Sequence, residues 1–298
     1  KMAWSVGYLK VQKIVGISMV ISRSLTTKVG FAELHCLSNY SFLSGASHPE
    51  ELVEAAAQKG YRAIALTDEC TYSGLVKAHM AAKKHAIKFI VGSEFRVSFG
   101  TPTHEKLVLL APNRIAYGQL AAFISKLRMK SEKGSYSAQI DDFRIGLNQC
   151  FVLWVPSLSS ISILTQRGEQ LKNMFPEFWI ALELFRDGHD LDKTAHALTL
   201  SMHLNTEIVA SNDVRMHNRS RQPLKDLLKA IRKKTTVTKL KEGISQNSER
   251  TFRDIDELMT LYPVEAIQES VNIASRCSFS MDELSYEYPK DLVPPHLS

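Results

Sequence analysis

Acidic and imidazole side chains stand at the ends of several short apolar runs of this sequence. His35 lies in the first run, Asp68 and Glu69 close the second, Glu94 ends the third, and Asp213 ends the seventh. Carboxylates and an imidazole that converge at one edge of a sheet are suitable ligands for a divalent metal and for phosphate chemistry. Taken singly, an acidic residue at a strand end is more often a helix N-cap or a solvated loop residue than a ligand. The prediction of a functional site therefore depends on whether these side chains converge at one edge of the folded sheet.

The apolar runs alternate with longer helical patterns, which predicts βαβ units and a parallel sheet. The predicted strands are residues 32–38, 63–69, 88–97, 106–111, 150–156, 179–185 and 207–214. The predicted helices are residues 49–59, 74–85, 113–130, 160–174, 191–204 and 221–234, then 255–261 and 264–276. A capping box from Ser47 to Glu50 is expected to open the first helix. This pattern predicts an α/β barrel or an open doubly wound sheet, with functional residues at the carboxyl ends of the strands.

The composition is that of a globular protein, with 44% hydrophobic and 23% charged residues among 298. Its four cysteines lie far apart without a C-x-x-C pair, which fits neither a zinc ribbon nor a disulfide framework and favours a cytoplasmic location. The net charge of +6 permits an anionic partner. Residues 1–30 include an apolar stretch that Lys10 and Lys13 interrupt, too short for a membrane span. We expect a loosely ordered N-terminal extension there.

One predicted helix carries a stripe of positive charge. Arg221, Lys225, Lys229 and Lys233 recur every four residues and therefore share one face. An apolar face is expected from four other residues, Leu224, Leu227, Leu228 and Ile231. The basic face could follow a nucleic-acid phosphate backbone with salt-dependent affinity. The alternative is an ordinary solvated helix face, since no aromatic residues are interleaved with the stripe.

Several separated motifs resemble those of a known family. Residues 33–46 (ELHCLSNYSFLSGA), 65–69 (ALTDE) and 90–94 (IVGSE) look like the opening motifs of the PHP (polymerase and histidinol phosphatase) domain. Residues 179–184 (WIALEL), 213–217 (DVRMH) and 284–289 (LSYEYP), farther along the chain, resemble the error-prone, damage-induced branch of the alpha-subunit-type DNA polymerases.

The resemblance implies a fold, a domain plan and partners. It implies a distorted seven-stranded (β/α) barrel over residues 31–234, with a helical extension and linker over 235–298 toward a polymerase module that this sequence lacks. The implied activity is translesion DNA synthesis in the cytoplasm, performed by a longer DNA polymerase. DNA would be bound through that full-length polymerase, and the sliding clamp and damage-response accessory proteins are further expected partners.

The metal-site motifs of the family are only partly present. His35, Asp68, Glu94 and Asp213 match metal-ligand positions, where the resemblance implies Mn, Zn or Mg. Other positions depart from the pattern: Glu33 and Leu37 flank the lone His35, Glu69 stands where the family has a histidine, and Arg215 replaces the last histidine. A guanidinium is always charged and cannot bind a metal. We therefore expect Arg215 to substitute for the ion by pairing with Asp213, Asp68 or Glu94. The alternative is that Arg215 points to solvent. The nearby His217 could also reach the site.

Three functions remain open at this point. The first is a scaffold domain of an error-prone polymerase without catalysis of its own. The second is a free-standing metal-dependent phosphoesterase or nuclease, which requires an ion to bind despite Arg215. The third is an interaction module that docks on replication or damage-response proteins.

Overall fold

The computed structural model describes residues 30–240 and 247–285. The strands are β1 (Ala32–Glu33), β2 (Ala63–Leu66), β3 (Lys88–Ser98), β4 (His104–Leu110), β5 (Ala138–Gln139), β6 (Phe151–Val155), β7 (Phe178–Glu183) and β8 (Ile208–Ser211). The α-helices are α1 (Pro49–Gln58), α2 (Leu75–His85), α3 (Arg114–Met129), α4 (Ile161–Met174), α5 (Asp190–Leu204), α6 (Gln222–Arg232), α7 (Ile255–Leu261) and α8 (Val264–Arg276). None of the helices in these two described stretches is long and apolar enough to cross a membrane.

Seven strands form a nearly closed barrel in the order β1-β2-β3-β4-β6-β7-β8. The gap between the first and last strands is bridged just beyond their ends. The Leu37 N–H donates to the Val214 carbonyl at 2.8 Å, and the Val214 N–H donates to the His35 carbonyl at 2.9 Å. The barrel prediction is confirmed, and its closing seam lies beside two of the predicted site residues.

The expectation of an all-parallel sheet is wrong at β4, which is antiparallel to both β3 and β6. Only five residues separate β3 from β4. A parallel crossover needs a dozen or more residues, so this connection forms a hairpin instead. As a consequence, the first residues of β4, rather than its last, lie at the same edge as the carboxyl ends of the parallel strands. The short β5, which pairs with β3, was not predicted.

The start of α1 also differs from the prediction by one residue. His48 is the N-cap, and its backbone N–H donates to Glu51 at 2.8 Å. The Ser47 hydroxyl, expected to cap the helix, is instead 2.8 Å from His217 Nδ1. The shift frees Ser47 to join the loop after β8 to the start of α1.

Two apolar layers position the strands. The larger layer lies between the sheet and its surrounding helices, and the smaller fills the barrel interior with residues such as Ala65, Val108 and Leu153. Helix α8 covers this interior, and the Ala32 N–H donates to Ser270 of α8 at 3.1 Å. The helical extension is thus packed on the barrel, while the predicted domain boundary at residue 234 stays a prediction. The predicted extension over residues 1–30 and the linker after residue 285 lie almost wholly outside the described residues.

Candidate functional site

His35 lies at the centre of a buried polar cluster in the mouth of the barrel. Its side chain is 1% exposed. Nδ1 is 2.5 Å from a Glu183 oxygen, and Nε2 is 2.7 Å from a Glu94 oxygen. Both ring nitrogens are therefore engaged with carboxylates from β3 and β7.

Asp213 completes the acidic side of the cluster. It follows β8 in a left-handed backbone conformation (φ 44°), which Asp adopts more readily than most residues. Its oxygens accept from Arg215 Nε at 3.0 Å and from Lys106 Nζ at 2.9 Å. Arg250 also donates to Asp213. Three fixed cations thus surround one fully buried carboxylate.

Lys106 links all three carboxylates of the cluster. Besides Asp213, its Nζ lies 3.5 Å from Glu183 and 3.8 Å from Glu94. Arg215 NH2 lies 3.6 Å from Glu94. Within the described residues the mouth therefore holds three carboxylates matched by the basic side chains of Lys106, Arg215 and Arg250, in addition to His35.

These charges control the ionisation of the acids. Burial raises the pKa of Glu183, but Lys106 and His35 lower it more strongly, and the net result is a pKa of about 2. Burial likewise opposes the ionised form of Glu94, while Lys106, the His35 hydrogen bond and Arg215 bring its pKa well below the usual value. Both acids are therefore charged at neutral pH.

Arg215 has two of its three predicted partners. It contacts Asp213 and Glu94, and its side chain is only 13% exposed, so it does not point to solvent. Asp68, the third, is held elsewhere. It accepts from the Ser38 hydroxyl at 2.7 Å and from the Ser41 hydroxyl at 2.6 Å, as well as from their backbone N–H groups. Asp68 organises the loop after β1 rather than the cluster.

The carboxylates of the remaining predicted positions, Glu33 and Glu69, bind other partners, although Glu33 also accepts from the His35 backbone N–H at 3.1 Å. Glu33 accepts from Ser211 at 3.0 Å and from the Asn212 amide at 2.8 Å, and burial raises its pKa. Glu69 accepts from the Tyr136 hydroxyl at 2.9 Å and pairs with an arginine of β3. Of the four proposed metal ligands, the structure therefore brings together His35, Glu94 and Asp213.

Three residues of the cluster were missing from the predicted site. Glu183 ends a strand in alternation with Trp179 and Ala181, which both face the barrel interior, so its position could have been identified. Lys106 could be placed only after β4 was known to be antiparallel. Arg250 comes from a distant loop, and no sequence pattern predicts its contact.

His35, Glu183 and Asp213 are the candidate ligands for a divalent ion. Suitable donor atoms of His35, Glu183 and Asp213 lie within 4.8 Å of one another. However, both His35 nitrogens already contact carboxylates, and both Asp213 oxygens contact Lys or Arg. An ion would need to displace at least one of the three partly exposed cations that pair with the buried Asp213. The residues present therefore do not fit a resident metal.

Helix α6 lines the outer wall of the mouth. Of its predicted stripe, Lys225, Lys229 and Lys233 line a cleft of about 680 Å³ that opens above Asp213. Arg221 turns away and pairs with Glu51 at 2.6 Å. Along the stripe, Lys225 is buried, Lys229 is partly exposed and Lys233 is exposed.

Comparisons with known proteins agree with this fold. Residues 33–175 match the PHP domain family. The chain is 46% identical over 270 residues to the error-prone DNA polymerase of Dechloromonas aromatica (strain RCB), covering 89% of this chain and 26% of that protein. It is 47% identical over 268 residues to that of Methylococcus capsulatus, with coverage of 89% and 25%. The chain thus spans about a quarter of the length of these curated relatives.

A solved structure shows the same fold at lower similarity. An amidohydrolase from Chromobacterium violaceum aligns with a TM-score of 0.52 and 17% identity, over 63% of this chain and 88% of that one. At this identity the likeness supports the barrel architecture alone.

Proposed function

Since this chain carries the PHP domain of an error-prone DNA polymerase, we propose that its barrel is a non-hydrolytic scaffold within such a polymerase. The scaffold would support DNA synthesis past lesions, with nucleotidyl transfer performed by other parts of the longer protein. The relatives' names and the coverage of this chain support the proposal.

The carrying observation is that Lys106, Arg215 and Arg250 all pair with the buried Asp213 in the barrel mouth. Opposite charges 3 to 4 Å apart attract by about 4–6 kcal/mol at an effective dielectric near 20, before desolvation is subtracted. Removing one partner of a buried pair typically costs about 3–5 kcal/mol. A divalent ion would have to offset that cost to enter, so the cluster favours a structural role over hydrolysis.

We also propose a cytoplasmic location and DNA as the partner of the full-length protein. The four cysteines are unpaired and buried, which suits a reducing compartment. Docking on the sliding clamp or accessory proteins remains part of the proposal as a further role of the same scaffold.

A metal-dependent phosphoesterase is the second candidate, and one observation favours it. Glu94 Oε1 is buried without a hydrogen-bond partner, next to the donor atoms of His35, Glu183 and Asp213. A metal that displaced Lys106 could use this oxygen. The scaffold is preferred because the same site would then have to accommodate the displaced ammonium group.

Hydrolysis assays separate the two candidates. The purified chain is incubated with Mn²⁺, Zn²⁺ or Mg²⁺ and with p-nitrophenyl phosphate, bis-p-nitrophenyl phosphate or single-stranded DNA. The scaffold proposal predicts no metal-dependent product. Turnover that disappears with chelator and in Asp213→Asn would establish the phosphoesterase instead.

A further inference from the structure

Two neighbouring apolar side chains on the outer side of α2 are open to solvent. Val76 and Met80 are 63% and 61% exposed, and they lie one helical turn apart. We call them the α2 patch. The opposite side of the helix packs on the core through Leu75, Ala78, Ala81 and Ala82. A surface helix normally carries polar residues on its outer face, although an exposed apolar pair by itself would need no explanation. The path of the chain beside α2 gives the pair its meaning.

The last described residues of the chain run onto this same helix. Phe279 stacks on Tyr117 of α3, with the ring centroids 4.8 Å apart. Three residues later, Asp282 contacts α2, where its carboxylate lies 3.2 Å from His79 Nε2 and 3.0 Å from Lys83 Nζ. The chain therefore crosses from α3 to α2 shortly before the described residues end at position 285.

The direction of this crossing leads to the α2 patch. Successive residues of an α-helix lie about 100° apart around its axis. Measured from Leu75, four side chains of α2 follow one another around the helix at about 40°, 80°, 100° and 140°, in the order His79, Lys83, Val76 and Met80. Asp282 contacts the first two of them. A chain that continues in the same direction meets the patch next.

The residues that follow have side chains suited to this patch. Residues 286–289 read Tyr-Glu-Tyr-Pro. A residue before proline favours an extended backbone, and alternate side chains of an extended chain lie on one side. Tyr286 and Tyr288 would then project together, about 7 Å apart, which is close to the axial spacing of about 6 Å between Val76 and Met80. A tyrosine ring covers apolar surface while its hydroxyl stays in water, and methionine sulfur favours aromatic contact.

We propose that the α2 patch binds residues 286–289 of this same chain. Four extended residues span up to about 14 Å, enough to cover two side chains one turn apart. Because the segment is tethered beside the patch, its effective concentration is high and a small apolar contact suffices. The inference rests on the scaffold role proposed above only for its purpose, which would be to fix the direction in which the chain leaves the barrel. The contact itself lies within this chain, so its test is separate from the hydrolysis assays.

The first test is photo-cross-linking of the full chain with p-benzoylphenylalanine in place of Met80, followed by mass spectrometry. We expect cross-links to residues 286–289 within one chain. The control carries the same group in place of Met202 of α5, a comparably exposed methionine (78%), and should give no cross-link to that segment. The proposal is overturned by cross-links from position 80 to a second chain, by none to residues 286–289, or by equal cross-linking from position 202.

The second test is the rate of chymotrypsin cleavage after Tyr286 in the folded chain. The test variant is Val76→Thr with Met80→Gln, which nearly keeps side-chain size and helix propensity but removes the apolar surface. The control is Leu198→Gln with Met202→Gln, a pair likewise exposed and one turn apart on α5. Circular dichroism checks that both variants keep the fold.

Cleavage in the test variant should be about tenfold faster than in the parent, because the rate follows the population of the undocked segment. The control should be cleaved at the rate of the parent. Equal rates in the parent and the test variant, or the same acceleration in the control, would contradict the proposal.

Discussion

The exchange Lys106→Met removes a cation that contacts all three buried carboxylates of the mouth. Lys106 Nζ lies 2.9 Å from Asp213, 3.5 Å from Glu183 and 3.8 Å from Glu94. Each contact contributes about 4–6 kcal/mol of attraction at an effective dielectric near 20, largely offset by desolvation. The net loss expected when a buried pair is broken is about 3–5 kcal/mol.

This loss should depend on pH in a defined direction. The Glu183 pKa is about 2 in the folded protein against a reference of 4.5, so its ionised form stabilises the fold above pH 4.5. That contribution disappears as pH falls toward 2. Without Lys106 the folded pKa of Glu183 rises, because the strongest opposing charge is gone. The difference in unfolding free energy between parent and variant should therefore be largest at neutral pH and shrink below pH 4.5.

Urea unfolding followed by circular dichroism from pH 7 to pH 3 measures this difference. Lys84→Met serves as the matched control, since Lys84 is exposed and should change stability by no more than about 0.5 kcal/mol. A Lys106→Met effect below about 1 kcal/mol at pH 7, the range of a surface ion pair, would refute the reasoning. So would a large effect that stays constant down to pH 3.

Other substitutions test neighbouring parts of the structure. Gly45→Ala should destabilise the protein by about 2–3 kcal/mol in urea unfolding, because an added Cβ would lie 2.0 Å from the Ser38 carbonyl oxygen. An unchanged unfolding free energy would mean that Gly45 does not approach the Ser38 backbone this closely. Arg221→Ala should cost at most about 1 kcal/mol, since its pair with Glu51 is partly exposed. A loss of about 3 kcal/mol or more in the same urea unfolding would mean that the pair behaves as a buried one.

Local patterns predicted most of the elements, because helix periodicity and strand alternation are properties of adjacent residues. The bounds of α7 and α8 agree with the prediction at both ends. The direction of β4 was missed, although the short connection after β3 could have revealed it. That error concealed Lys106, which sits at the start of a strand instead of its end.

The candidate site was less predictable because its contacts join distant parts of the chain. Asp68 matches a metal-ligand motif, yet two nearby serines supply its hydrogen bonds. Arg250 reaches Asp213 from a loop that no periodicity governs. Motif matching identifies which residue types are present, but the partner of each charge depends on the tertiary fold.

We expect Lys106, Arg215 and Arg250 to exclude a metal ion from the mouth of this barrel. Equilibrium dialysis against Mn²⁺ and Zn²⁺, followed by elemental analysis, tests it on the chelator-treated parent and on Lys106→Ala with Arg215→His. We predict no stoichiometric metal on the parent and one bound ion per chain on the double variant. A stoichiometric ion on the parent, lost in Asp213→Asn, would contradict the account.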